Sequence, residues 1–188
     1  TSHELQKIDA LDYEDLRPLV DMDQLNAFRK HSLNPEHPHV RGTTASSETF
    51  FQGREAGNGH YDAIPDIVQH YMDEINKLTG RNYKLFDYYG APDAEEVVVV
   101  MGSGAETARE TVDYLMSQGR KVGMISVHLF RPFSAKHFLS VLPETVRKVA
   151  VLDRTKESGS VGEPLYLDVK AVLTGSGRSF DAIVGGRF

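Results

Sequence analysis

Val97-Val98-Val99-Val100-Met101 is an unbroken apolar run, almost all of it β-branched. A half-exposed strand alternates apolar with polar residues, so a continuous run of this length asks for cover on both faces. That cover is supplied most simply by crossover helices, and the residues that follow are arranged to provide them. Gly102-Ser103-Gly104 turns the chain into a helix from about Ala105 to Gln118, closed by Gly119. Lys121 to Phe130 reads as a second strand, and Arg131-Pro132-Phe133-Ser134 leads into a helix ending near Leu142-Pro143. Lys148 to Asp153 is a third strand. The loop from Arg154 to Gly162 precedes a helix through Tyr166, Val169 and Leu173, and Asp181 to Val184 makes a fourth strand. Strand and helix in strict alternation predict an α/β fold: an open parallel sheet with right-handed crossovers and helices on both faces. The first strand, the most apolar, belongs at its centre. Its carboxyl edge would then gather the Gly102 turn, Arg131 and Asp153.

Before Gly90-Ala91-Pro92-Asp93 the character changes to helical periodicity broken by irregular stretches. Tyr13 to Val20 reads as a short helix, and Asp23 to Leu33 as another, with Asp23 its N-cap. Asn34-Pro35-Glu36-His37-Pro38 cannot continue it, because each proline disfavours helical geometry in the residue before it. Residues 41–60, rich in Gly, Ser and Thr, read as a surface loop. Ile64, Ile67, Val68, Tyr71, Met72, Ile75 and Leu78 then form one apolar stripe of a helix over Asp62–Thr79, with Asp62 as its cap and Gly80 its end. The division predicts two parts: residues 1–92, a mainly helical extension, and residues 93–188, the α/β domain.

A chain of 188 residues is long enough for one good core plus such an extension. A net charge of -6 with no clustered basic face argues against nucleic acid, whose phosphates need one. The longest apolar runs are strand-length, so no membrane span is expected, and no signal-peptide pattern is visible, which favours the cytoplasm. Cysteine is absent, so disulfides, thiolate catalysis and a self-contained iron–sulfur site are not available to these residues. The chain begins with Thr1 and stops at Gly185-Gly186-Arg187-Phe188 directly after a strand, and it reads as a piece of something longer.

Candidate sites are few. Gly102-x-Gly104 lies between strand and helix, where amides and the helix dipole can hold a phosphate. A dinucleotide fingerprint would need a third small residue where Thr107 stands, and an acidic residue after the second strand, which ends in Ser126-Val127-His128. A tight turn explains these glycines better, and no P-loop lysine follows. The histidines His3, His31, His37, His39, His60, His70, His128 and His137 show no metal-ligand spacing. Asp153-Arg154-Thr155-Lys156-Glu157, with Gly159 to Gly162 beyond it, sits where open α/β sheets bind ligands, but its alternating charges could equally pair with each other. Arg131 has two open readings, an anion ligand or an interdomain salt bridge.

Several phrases together resemble the single-chain pyruvate:ferredoxin (or flavodoxin) oxidoreductases. They are Thr1 to Ile8, Leu33 to Pro38, Lys84 to Gly90, Val112 to Leu115, Leu129 to Ser134, Ala150 to Glu157 and Gly162 to Val169. The resemblance spans essentially the whole chain, and Asp153 to Glu157 followed closely by Gly162 to Val169 is its most specific part. It implies a parent enzyme that oxidises pyruvate to acetyl-CoA with thiamine diphosphate and CoA. Electrons would pass through [4Fe–4S] clusters to ferredoxin or flavodoxin, and the parent would be a homodimer. Residues from Glu95 onward would be its second domain, akin to the transketolase C-terminal domain, and residues before Gly90 the tail of the thiamine-binding domain and its linker. The family's pyruvate, thiamine, CoA and cluster contacts fall outside this segment. The expectation is therefore no catalytic, cofactor-binding or metal residue here, and a segment silent on its own. Two readings from other classes compete: a free-standing nucleotide- or anion-binding domain using Gly102 to Thr107 and Arg131, and an interaction module docking through Arg154 to Gly162.

Overall fold

The apolar runs of the second half, joined by one strand from the end of the first, form one five-stranded sheet in the computed structural model, which describes residues 8, 10–38, 42 and 44–188. Its strands are β1 (Phe86–Gly90), β2 (Glu96–Met101), β3 (Val122–Val127), β4 (Lys148–Asp153) and β5 (Ala182–Arg187), ordered β1-β3-β2-β4-β5. The four expected strands are all present and mutually parallel, with β2 at the centre. Val98 lies level with Met124 on one side and Ala150 on the other. Alternate residues of β2 then serve the two faces. Val97 and Val99 join one core with Phe138, Leu165, Val169 and Leu173, while Val100 joins a second with Val112, Val122 and Met124.

Three crossover helices supply the cover. On one face lies α5 (Gly104–Ser117); on the other lie α6 (Ala135–Val141) and α7 (Pro164–Gly175). The heart of the first core is aromatic: Phe86, Phe133 and Phe138 meet with ring centroids 5.2 to 5.5 Å apart. Each such edge-on or tilted pair adds about 0.5–1.5 kcal/mol beyond the area it buries.

The sheet has one strand that sequence reading did not expect. β1 runs antiparallel to β3, from Phe86 opposite Val127 to Gly90 opposite Gly123. This closest pairing needs both glycines. Gly90 takes φ 135°, and a Cβ on it would lie 2.4 Å from the Gly123 Cα. A Cβ on Gly123 would strike the Tyr88 ring, whose hydroxyl donates to the Ala91 carbonyl. β3 ends at Val127, earlier than the apolar run suggests, because the next two amides turn to the Leu85 carbonyl. β5 continues through Gly185 and Gly186 to Arg187; Gly185 leaves room for the Tyr166 ring, 2.9 Å from where a Cβ would stand.

The first half is helical: α1 (Tyr13–Leu16), a 3-10 turn at Arg17–Leu19, α2 (Met22–Arg29), α3 (Ser47–Ala56) and α4 (Asn58–Thr79). Four local expectations are corrected. The N-cap of α2 is Asp21, not Asp23: its Oδ1 accepts from the Asp23 and Gln24 amides, both at 3.0 Å. The helix stops at Arg29, short of Leu33. Much of the supposed loop over 41–60 is α3 and the first turn of α4, with Gly57 in helical geometry between them. Asp62 therefore lies inside α4 and does not cap it, and the helix passes through Pro65. Gly80 ends it as expected, left-handed at φ 69°, its amide reaching the Asn76 carbonyl at 2.8 Å.

One face of α4 joins the sheet's first core through Val68 and Met72. Asn76 clasps Tyr83 twice, accepting from its amide at 2.6 Å and donating to its carbonyl at 3.0 Å, and Gln69 accepts from the Leu85 amide at 3.2 Å. Along the same apolar stripe Ile67, Tyr71 and Leu78 stay exposed, so the sheet covers only part of it.

Candidate functional site

β3, β2 and β4 are neighbours running the same way, so their carboxyl ends bring the Gly102 turn, the Arg131 segment and Asp153 to one edge, where ligands bind in open α/β sheets. What each residue does there is set by its partners.

Asp153 ends β4, is fully buried, and its two carboxylate oxygens accept from the Leu165 and Tyr166 amides at 3.0 and 3.1 Å. These are orphan donors of the first turn of α7, which opens on Pro164, a residue with no amide hydrogen to satisfy. A strand residue thus caps the next helix, with its negative charge on the favourable end of the helix dipole. Both oxygens are committed to the backbone.

Arg131 follows β3, joined to Pro132 by a cis peptide bond. Its guanidinium pairs with Asp168 on α7 and stacks on Phe130, 4.1 Å from the ring centroid. That partner lies within the sheet unit itself, and the Arg131 side chain stays 55% exposed beside it.

The Arg154–Gly162 loop is tied down from within through its backbone and Lys156. Glu163, 5% exposed, accepts from the Glu157 amide at 2.6 Å and from Arg187 at 2.6 Å, with Lys156 at 3.9 Å. The Glu157 amide first, and the Arg187 and Lys156 cations after it, hold the Glu163 carboxyl below the usual glutamate range. One buried carboxylate therefore organises the whole loop. Arg154 alone in this group has no carboxylate partner among the described residues; it donates to Ser103 Oγ at 3.3 Å.

The glycines after β2 serve packing. Gly102 takes φ 71°, and a Cβ on Gly104 would stand 2.7 Å from the Phe188 ring, which occupies that space. Among the described histidines, His128 bonds the Lys84 carbonyl through Nδ1 at 2.7 Å, and His137 meets Ser134 at 2.8 Å and Asp66 at 3.3 Å. His3 and His39 lie outside the described residues. No group of three or more His, Cys, Asp or Glu among the described residues is placed to hold a metal ion. No buried polar side-chain atom among them lacks a hydrogen-bond partner.

The residues that organise this edge and were not singled out in the sequence are Glu163, Asp168 and Phe188. For Glu163 a signal existed: it directly precedes Pro164, which marks the first position of a helix.

The donor set can be tested against the groups the family resemblance implies. A diphosphate cofactor is carried on a divalent cation held by oxygen ligands, and no such cluster exists among the described residues. Iron–sulfur clusters need cysteine thiolates, and the chain has no cysteine. These residues do not fit an iron–sulfur cluster.

No helix among the described residues is long and apolar enough to cross a membrane. Residues 94–187 match the family model described as pyruvate:ferredoxin oxidoreductase core domain II. Residues 1–73 match the model described as pyruvate flavodoxin/ferredoxin oxidoreductase, thiamine diphosphate-binding. Among curated relatives, the pyruvate:ferredoxin oxidoreductase of Moorella thermoacetica is 58% identical over 188 residues, covering 100% of this chain and 16% of that protein. The pyruvate-flavodoxin oxidoreductase of Enterobacter agglomerans is 55% identical over the same span and share. A pyruvate dehydrogenase [NADP(+)] of Cryptosporidium parvum is 52% identical over 191 aligned residues, covering 100% of this chain and 10% of that protein. The chain thus spans about one-sixth or less of the length of these relatives.

Proposed function

The chain belongs to the pyruvate:ferredoxin/flavodoxin oxidoreductase family, and from that premise we propose that it is a non-catalytic scaffold segment of a parent enzyme. In that parent, pyruvate is oxidatively decarboxylated to acetyl-CoA. Thiamine diphosphate supplies the carbanion chemistry, CoA accepts the acetyl group, and [4Fe–4S] clusters relay electrons to ferredoxin or flavodoxin. All of those groups are held by other parts of the parent, which is a cytoplasmic homodimer. Residues 1–92 are the tail of its thiamine-binding domain and a linker, and residues 93–188 a transketolase C-terminal-like domain, so the immediate partners of this chain are the remaining domains.

The observation that carries this reading is the 58% identity across every residue of the chain to a pyruvate:ferredoxin oxidoreductase about six times longer. The geometry supports a scaffold role. At the edge where such sheets bind ligands, Asp153, Glu163 and Arg131 are all spent on internal hydrogen bonds and ion pairs.

The test uses the full parent and the segment side by side. The parent should reduce a low-potential acceptor in the presence of both pyruvate and CoA. Residues 1–188 alone should give no turnover, and titration calorimetry should detect no uptake of magnesium thiamine diphosphate or of CoA. Specific micromolar binding of either by the segment would overturn the scaffold assignment.

A further inference from the structure

The α5 face of the sheet is only half covered. α5 lies over β1, β3 and β2, and beside it Ala150 and Leu152 of β4 and Val184 of β5 floor an apolar groove of about 890 Å³. Val184 is 53% exposed and Phe188, at the mouth, 55%. A parallel sheet is stable with both faces covered, and its opposite face here carries α6 and α7 in full. The bare strip is two strands wide, roughly 10 Å at the usual strand spacing, which is the width of one helix. Its six-residue strands extend roughly 20 Å, the length of a helix of about 13 residues.

Charge marks one end of the strip. Among the described residues Arg154, at the carboxyl edge, has only Ser103 Oγ for a partner, whereas at the opposite end Lys148 already pairs with Glu96 at 3.0 Å. An occupant therefore needs an apolar face with an acidic side chain at the end that meets Arg154. The relatives contain about five-sixths of their length outside the matched residues, ample chain to supply it.

We infer that this groove is an intramolecular docking site, filled by an amphipathic helix of the parent polypeptide from outside residues 1–188 that brings a carboxylate to Arg154. The inference rests on the functional reading above, since it draws its occupant from the parent chain. Covering this strip completes the two-sided sheet and excludes water from Val184, Leu152 and the Phe188 ring. A second copy of the chain is the competing occupant.

The experiment is hydroxyl-radical footprinting and lysine cross-linking of the full-length parent, native and denatured in urea. Val184 and Phe188 should be modified about tenfold less in the native protein, as buried side chains are. Lys148 should cross-link to a helical peptide of the same polypeptide, at a yield unchanged on dilution. Arg154→Glu should raise modification of Val184, whereas Arg154→Lys should leave it low. Val184 and Phe188 as reactive in the native parent as in urea would overturn the inference, and so would cross-links that join two copies and vanish on dilution. An Arg154→Glu parent with Val184 still protected would overturn the acidic contact. Acceptor reduction, measured on the same sample, keeps the two proposals apart. A parent that protects Val184 yet reduces no acceptor with pyruvate overturns the functional reading while supporting the groove.

Discussion

The two halves of the chain are held by different forces. In the sheet unit, Val99, Val100, Ile125, Phe138, Val151, Leu165, Val169 and Leu173 are all fully buried. In α1, α2 and α3 no residue is buried, and in α4 only Pro65 is. Large apolar side chains are not missing from the helical half: Phe28 is 73% exposed, Leu33 96% and Phe51 68%. The same kinds of side chain thus form a core in one half and a solvent-facing surface in the other. Helices this short are marginal in water without an apolar face to pack, however well capped. A cap sets where a helix starts, and burial decides whether it persists.

The largest break in this contrast comes from paired truncations. Phe138→Ala should destabilise the sheet unit by about 3–5 kcal/mol, because it removes the ring that both Phe86 and Phe133 touch. Phe28→Ala should change unfolding of the same chain by no more than about 0.5 kcal/mol. Urea denaturation followed by circular dichroism reads both, and equal effects would erase the distinction.

A smaller effect is expected at Asp153. Asp153→Ala strands two buried amides of α7 and should cost about 1–3 kcal/mol, with Asp153→Asn recovering part of it. Hydrogen exchange should show the loss concentrated at Leu165 and Tyr166. An even loss across the sheet would mean that the carboxylate does not act as the cap of α7.

At the helical end, Asp21→Ala removes the cap of α2 and should cost that helix about 1 kcal/mol locally while leaving the sheet's unfolding midpoint in place. A shift in that midpoint would show that the two halves unfold together.

The smallest effect is a pH dependence in the loop after β4. The folded Glu163 carboxyl titrates below its ordinary value of 4.5, so its contribution is complete above that value and fades as pH falls through the depressed one. Acid titration should therefore loosen residues 154–162 before the strands. Glu163→Gln should flatten that acid limb, and a variant with an unchanged limb would remove Glu163 as its cause.

Where side chains alone determine the outcome, the sequence was informative. The Val97–Met101 run needs two covered faces, and it became the central strand between two parallel neighbours, with helices on either side. β1 was not legible, because Phe86-Asp87-Tyr88-Tyr89-Gly90 has no clear alternation and its pairing depends on the distant Gly123 making room for Tyr88. α3 was hidden by composition, since Ser, Gly and Thr weigh against a helix that Ser46 and Gly57 nonetheless bracket. Asp62 misplaced the start of α4: it is a capping residue type set just before the apolar stripe, whereas the helix begins a turn earlier, at Asn58. At the carboxyl edge, charge alternation from Asp153 to Glu157 left ligand binding and internal pairing open. The internal contacts of that loop run through Glu163 and Arg187, which only folding brings together.

The antiparallel sense of β1 has a mechanical consequence. Because β1 starts beside the end of β3, α4 reaches the sheet at the carboxyl edge, next to His128 and the Arg131 segment. At 22 residues α4 is a rod roughly 33 Å long. It is fixed from Pro65 onward, by the Asp66 ion pairs with Lys136 and His137, the Gln69 contact and the Asn76–Tyr83 clasp, while its far end, the first two turns, leads back to the short helices. Such a rod transmits torque: a small swing of the far end turns into strain at Leu85, where the backbone of β3 leaves the ladder. Motion arriving through the first half of the chain would thus be delivered to the loops at the carboxyl edge and not to the valine-rich centre of the sheet.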